Sequence, residues 1–583
     1  MKCHFKKIFT IFFVFLLLLS IIGCSKKPTV TPDENAEFAM FLDNLFKSEL
    51  ESSPLDIAYT LASPENYNLD HIIPSMPDLS EEAFLKDIQR IENIINELKT
   101  FDYENLSTDE KLTYDILMKY YEVALMSKNL YKHRKILSPS LGMQSQLPIF
   151  FAEYPLRIKK DINNYLNLLN EVPILFNQVI EFERLKATEG LLMPAFAMES
   201  IIEQINYFTS SVEDNFLIEI FIDKIKDIPG ITADDITQFE NRNRDLIINT
   251  VIPAYEELAL ALTQLKDKSV NNKGLYYLPQ GTDYYEYLYY SYTGSSKTLE
   301  EIIDLIDLRI RQTFVQYHVL SQQDVDLIDA YFEFSYKIDS PENTINFLIE
   351  SMNTYFTNVG NPALDIKYVH PSLQEHLSPA FYLIPPIDGE SNQVIYINNN
   401  QKYDLDNLYP TIAHETYPGH LYQYIYFRQQ DVPRIRQILN YPGYSEGWAI
   451  YAENFSIGFL DIQDSLSQIL QYDRKIDLLI QGRIDIGVNY EGWAVEDVAT
   501  YLDSLYLNLD IEVIKNIFQY VIEEPANTLK YSIGYLEVLL LQEKAASLNS
   551  DFDIKDFHDF ILSIGPAPYE IIERELEKWL KNK

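Results

Sequence analysis

Thr411-Ile412-Ala413-His414-Glu415-Thr416-Tyr417-Pro418-Gly419-His420 holds a His-Glu pair with a second His close behind, entered through a small apolar run. This is the inventory of a zinc hydrolase: two neutral imidazoles for a metal and a carboxylate beside them for a water. In the common form of such a site the two His lie four residues apart on one helix face. Here His414 and His420 are six apart, which on an ideal helix separates them by about 120°. One ion could not take both without strain. Pro418 and Gly419 offer the remedy, because Pro disrupts the helical ladder and Gly admits unusual dihedrals. A break there swings His420 back toward His414.

Downstream, Gly443-Tyr444-Ser445-Glu446-Gly447-Trp448-Ala449-Ile450-Tyr451-Ala452-Glu453 reads as the next helix. A Glu at this distance, on a helix packed against the first, is how many zinc peptidases supply a third ligand, and Glu446 is the candidate. Glu453, two turns along, can share its face and support a ligand His from behind. The bland alternative is that both are solvated helix carboxylates. Glu491-Gly492-Trp493-Ala494 echoes Glu446-Gly447-Trp448-Ala449, but four residues do not make a repeat. Upstream, 380–384 and 393–397 are β-branched and aromatic runs around Pro385, Pro386, Asp388 and Gly389, which predicts a hairpin. Either it is purely structural, or its edge strand holds extended peptide beside the metal helix.

The remainder is helical in pattern. Leu85, Ile88, Ile91, Ile95 and Leu98 recur at helical spacing, and Ser107 with Glu110 forms a capping-box pattern. The expected organisation is an N-terminal helical region over 38–270 and a catalytic region over 271–583. The Tyr-dense stretch 275–292 either lines a cleft or packs between helices. The 583 residues are 47% hydrophobic and 23% charged, the balance of a folded globular protein. A net charge of -40 argues against nucleic acid as a partner.

Lys2, Lys6 and Lys7 precede an apolar run over 8–22, which ends at Gly23-Cys24. This predicts a lipoprotein signal peptide over 1–24, with Cys24 as the lipidated first residue of the mature chain. The polar stretch 25–37 reads as a flexible tether. Cys3 and Cys24 are the only cysteines, so no internal disulfide is expected after processing. The expected location is extracytoplasmic, lipid-anchored to the cell membrane or outer membrane.

His-Glu-x-x-Pro-Gly-His followed by Glu-Gly-Trp-Ala-x-Tyr-x-Glu resembles the bacterial family catalogued as domain of unknown function 885. Its members are often lipoproteins and are regarded as zincin-like metallopeptidases. The resemblance covers most of the mature chain. It implies a mainly α fold, a large helical zincin-like architecture related to thimet oligopeptidase and carboxypeptidase Taq, with a small β-hairpin beside the cleft. Arg483-Ile484-Asp485-Ile486-Gly487-Val488-Asn489 matches a further family segment in its Asp and Gly, with Arg474 as the alternative arginine and Asn489 where the family has His. Pro525-Ala526, Tyr531 and Gly534 match another. These matches imply substrate-binding roles for Arg483 and Asn489 and an oxyanion donor in Tyr531, for which a core or cleft-wall role is the alternative.

The reading that follows is a zinc metallopeptidase acting on oligopeptides. One Zn²⁺ per chain is held by His414, His420 and Glu446, with Glu415 as general base. Arg483 pairing with a substrate carboxylate would make it carboxypeptidase-like, unless that arginine is structural. The competing class is a non-catalytic surface lipoprotein that binds peptides or glycans through a degenerate site. Glu415 separates the two, because a dead site has little use for a carboxylate beside a ligand His.

Overall fold

The computed structural model describes residues 34–582, apart from 325, 337–339, 361, 372–373, 375–376, 390–391 and 405–406. The signal peptide over 1–24, Cys24 and most of the expected tether lie outside the described residues. The described chain opens on the helix Glu34–Ser52, which begins inside the segment expected to be tether.

About 70% of the chain is helical, with one small three-stranded sheet. Local chemistry sets the helix starts. The Ser107 side chain accepts from Glu110 N at 3.3 Å while Glu110 accepts from Ser107 N at 2.8 Å, so the capping box forms and opens Thr108–Leu125. The helix Glu81–Leu98 buries Ile88, Ile91, Ile94, Ile95 and Leu98. Leu85, expected on that stripe, stays exposed, and Ile94 is buried in addition to the expected residues.

Packing does not follow the expected division at 270. The first helices, from Phe38 to Tyr121, share one core with residues from Ile345 to Leu576, the part that carries His414, His420 and Glu446. Residues from Tyr131 to Leu265 supply nearly all of a second core. The run Ala233–Lys268 is long and apolar enough to cross a membrane by composition, yet it contributes Ile247, Val251, Tyr255 and Leu258 to that second core. A third core joins Tyr284, Tyr285 and Tyr289 to Ile484, Leu529 and Ile533. The Tyr-dense stretch is therefore chiefly packing.

The expected hairpin forms. Strands β2 (Ala380–Leu383) and β3 (Gln393–Ile397) pair antiparallel, and β1 (Leu364–Tyr368), which the pattern did not announce, joins β3 in parallel. The order β1-β3-β2 leaves β2 as an edge strand. It lies against the helix Tyr409–Glu415.

The helices Pro442–Ser456 and Asn527–Leu548 pack closely along their length. Gly443, Gly447 and Gly534 make the approach possible: a Cβ on Gly447 would fall within the backbone of Gly534. The Tyr569 hydroxyl donates to Gly443 O at 2.9 Å and Gly534 O at 3.0 Å, bridging the two backbones. This contact sets Glu446 and Tyr531 on neighbouring helices. Gly447→Ala is expected to lose about 1–3 kcal/mol through overpacking, despite the higher helix propensity of Ala. Urea denaturation checks this, and unchanged or increased stability would contradict it.

Candidate metal centre

The helix Tyr409–Glu415 ends with Thr416 N donating to Ile412 O at 2.9 Å, while the Thr416 hydroxyl donates to the same carbonyl at 2.6 Å. Beyond it the backbone leaves helical geometry at Thr416 (φ -115°, ψ -101°) and Gly419 (φ -78°, ψ -134°), with a cis Tyr417-Pro418 peptide between them. The ladder then closes over a wider loop. Gly419 N donates to Ala413 O, and Tyr422 N to Thr416 O, both at 3.1 Å. Each bond reaches back six residues, where a continuous helix reaches back four. Two residues are looped out, so a spacing of six does the work of a spacing of four. Gly419 is required because a Cβ there would fall on the carbonyl of His414.

The result is a cluster. The His414 and His420 rings lie 4.8 Å apart at an interplanar angle of 88°. Glu446 Oε2 is 3.5 Å from His414 Nε2 and 3.3 Å from His420 Nε2. One ligand atom from each of the three residues lies within 4.8 Å of the others. The Trp448 indole donates to Pro418 O at 3.0 Å, tying the Glu446 helix to the break.

Behind His414 stands a second layer. Glu453 Oε2 lies 3.2 Å from His414 Nδ1, and Arg474 Nε donates to Glu453 Oε1 at 2.7 Å. Glu453 is buried and fully engaged, so it is no solvated helix carboxylate. Arg474 was visible in the sequence only as an alternative family arginine, and its role comes from the fold. Lys530, which no motif announced, places Nζ 3.6 Å from Glu446 Oε1. Its only signal was its position next to Tyr531.

Burial alone would lower the His414 pKa, but Glu446 and Glu453 overcome it and hold the imidazolium up to about 10 in the metal-free chain. Burial would raise Glu446, yet the two imidazoles keep it well below the usual carboxylate range. Burial and the Glu446 charge push Tyr531 well above an ordinary phenol, so it remains a hydroxyl donor.

His414, Glu415, His420, Glu446, Lys530 and Tyr531 line a cleft of about 810 Å³, together with Tyr382 of β2. The backbone N–H of Tyr382 donates to Glu415 Oε2 at 2.9 Å, so the edge strand fixes that carboxylate.

Two expected site residues lie elsewhere. Arg483 is buried against Glu491 at 2.5 Å and Asp307 at 3.4 Å, and stacks 4.4 Å from the Trp493 ring. It is held there outside the lining of the cleft, so this arginine is not placed to pair with a substrate carboxylate beside His414 and His420. Asn489 is buried as well. Its amide donates to Asp485 Oδ1 at 3.0 Å and Val521 O at 2.9 Å, and its carbonyl accepts from Leu275 N at 3.0 Å. That network supports the Tyr531 helix from below: Asp485 also accepts from Ala526 N at 3.0 Å and the Thr528 hydroxyl at 2.7 Å.

The chain belongs to the family of bacterial proteins of unknown function catalogued as DUF885, whose pattern matches residues 74–576. Its fold is also that of two solved structures. A "putative lipoprotein" from Colwellia psychrerythraea superposes with a TM-score of 0.82 at 21% identity, covering 94% of this chain and 100% of that one. A second, from Shewanella oneidensis and described as a "putative lipoprotein of unknown function", gives 0.64 at 16% identity, covering 92% and 99%. A "putative oligoendopeptidase F" from Bacillus anthracis is remote, with a TM-score of 0.30 at 11% identity, and carries no argument. No curated protein matches the sequence.

The His414 environment sets a pH signature. Its pKa lies above the 6.5 of a free imidazole, so the stabilising contribution is full below about 6.5 and is lost as pH rises through about 10. NMR titration of the metal-free protein is expected to find this ring still protonated at pH 8. Titration near 6.5 would contradict the geometry.

Proposed function

We propose that this chain is a membrane-anchored, extracytoplasmic zinc metallopeptidase that hydrolyses peptide bonds of oligopeptides within a zincin-like fold. The observation that carries the reading is the convergence of His414, His420 and Glu446 with Glu415 in one cleft. The donor set suits zinc, since two imidazoles and one carboxylate leave a fourth position open. When bound, Zn²⁺ supplies a Lewis acid that polarises a carbonyl and brings the pKa of a water toward neutrality.

The protein's own groups do the rest. Glu453, held by Arg474, keeps a proton on His414 Nδ1 and leaves Nε2 facing the cluster. Lys530 engages Glu446 Oε1, leaving Oε2 toward the imidazoles. Glu415, oriented by the Tyr382 N–H, takes the proton of the attacking water and returns it to the leaving amine. The Tyr531 hydroxyl donates to the oxyanion as the scissile carbonyl becomes tetrahedral. Anchoring is supported by the signal sequence ending at Cys24 and by the descriptions of the two structural relatives.

Glu415→Gln is expected to retain zinc and lower peptide hydrolysis by about 10²–10⁴-fold. Cleavage of a mixed peptide library, followed by mass spectrometry, reads this. Peptide binding without cleavage by the wild-type protein would favour the capturing lipoprotein instead.

A further inference from the structure

The cleft carries a positive group that the proposed chemistry does not use. Arg428 lies at the end of the helix His420–Arg428 and lines the same cavity as the metal-site residues. Its guanidinium donates only to neutral oxygens: the Tyr424 hydroxyl at 2.6 Å, Pro386 O at 3.3 Å, and Ile387 O. Among the described residues no carboxylate pairs with it. In a chain of 87 acidic against 47 basic residues, a cleft arginine without an acidic partner among the described residues is a specific arrangement.

The surroundings keep it that way. The acid on the described part of the same loop, Asp388, accepts from Ala62 N at 2.6 Å and Ser63 N at 3.1 Å. Ile387 N donates to Thr60 O at 2.8 Å, so the loop that orients the guanidinium is clamped to the segment beneath it. A second arginine, outside the lining of the cleft, is likewise held by neutral groups. Arg436 is buried, donates to Ile564 O, and sits 6.0 Å from the ring of Phe427, also without a described carboxylate partner. Burial lowers it only to about 10, so it stays charged at neutral pH.

Arg428 presents a fork with N–H groups to spare, and a planar fork matches a carboxylate. Eight residues separate it from His420, about 12 Å of helix rise, or about three to four residues of extended peptide. We propose that Arg428 binds the carboxylate of a peptide substrate, specifically its free C-terminus, so that the enzyme releases short C-terminal fragments of about three residues. The inference rests on the peptidase reading and names its substrate class.

The test uses one peptide sequence in three forms: free acid, C-terminal amide, and amide ending in Asp. With zinc-loaded wild-type protein the free acid should be cleaved near its C-terminus. The amide should lose about tenfold or more in kcat/KM, chiefly through KM, and Arg428→Gln should abolish the difference between acid and amide. Equal cleavage of acid and amide would overturn the proposal. So would an Asp-ended amide cleaved as well as the free acid, which would assign the fork to an acidic side chain. Calorimetric binding of the three forms to Glu415→Gln separates the two layers of argument. A preference for the free acid without any wild-type cleavage would remove the peptidase reading and leave the carboxylate site standing. Equal affinity would remove the carboxylate site.

Discussion

The arrangement hangs on one backbone constraint, the break between Thr416 and Gly419. Carbonyls that a continuous helix would pair four residues on are instead met six residues on, by Gly419 N at Ala413 O and Tyr422 N at Thr416 O. The chain loops out two residues and resumes as a helix with His420 at its first position. Without that loop the two imidazoles would face different directions. With it, they lie in van der Waals range of each other and of Glu446. Gly419 permits the approach, and Trp448 holds the break from the neighbouring helix.

Around this break the protein places charges that make sense together. Two imidazoles and one carboxylate converge, and further groups support the cluster and its neighbour Glu415: Glu453 and Arg474 behind His414, Lys530 beside Glu446, Tyr382 N–H on Glu415. Burying carboxylates is costly unless they are paired and hydrogen-bonded. Glu453, nearly inaccessible, meets that condition through Arg474 and His414. The glycine contact between the Glu446 and Tyr531 helices brings the Tyr531 hydroxyl to the same wall.

What the sequence made legible was what depends on local spacing. His414, Glu415, His420, Glu446 and Glu453 could be brought together on paper because they fall on three successive α-helices. The β2–β3 hairpin was readable from its local spacing too. Strand β1 was not, since its parallel pairing with β3 is set by tertiary packing and leaves no turn signal. Arg483 was misplaced because an arginine near acidic residues looks the same whether it faces a cleft or closes on Glu491 and Asp307. Lys530 and Arg428 were passed over because no motif marks them, and their meaning comes from which carboxylates do or do not reach them. The cores likewise ignore chain order, joining Phe38–Tyr121 to the metal-site helices across more than two hundred intervening residues.

The central claim is that the looped-out spacing builds a real metal site. Elemental analysis of the dialysed protein, wild type beside His420→Ala, tests it most directly. The account predicts about one zinc per chain in the wild type and its loss in the variant. A wild-type protein that holds no metal even after zinc is added back would contradict it.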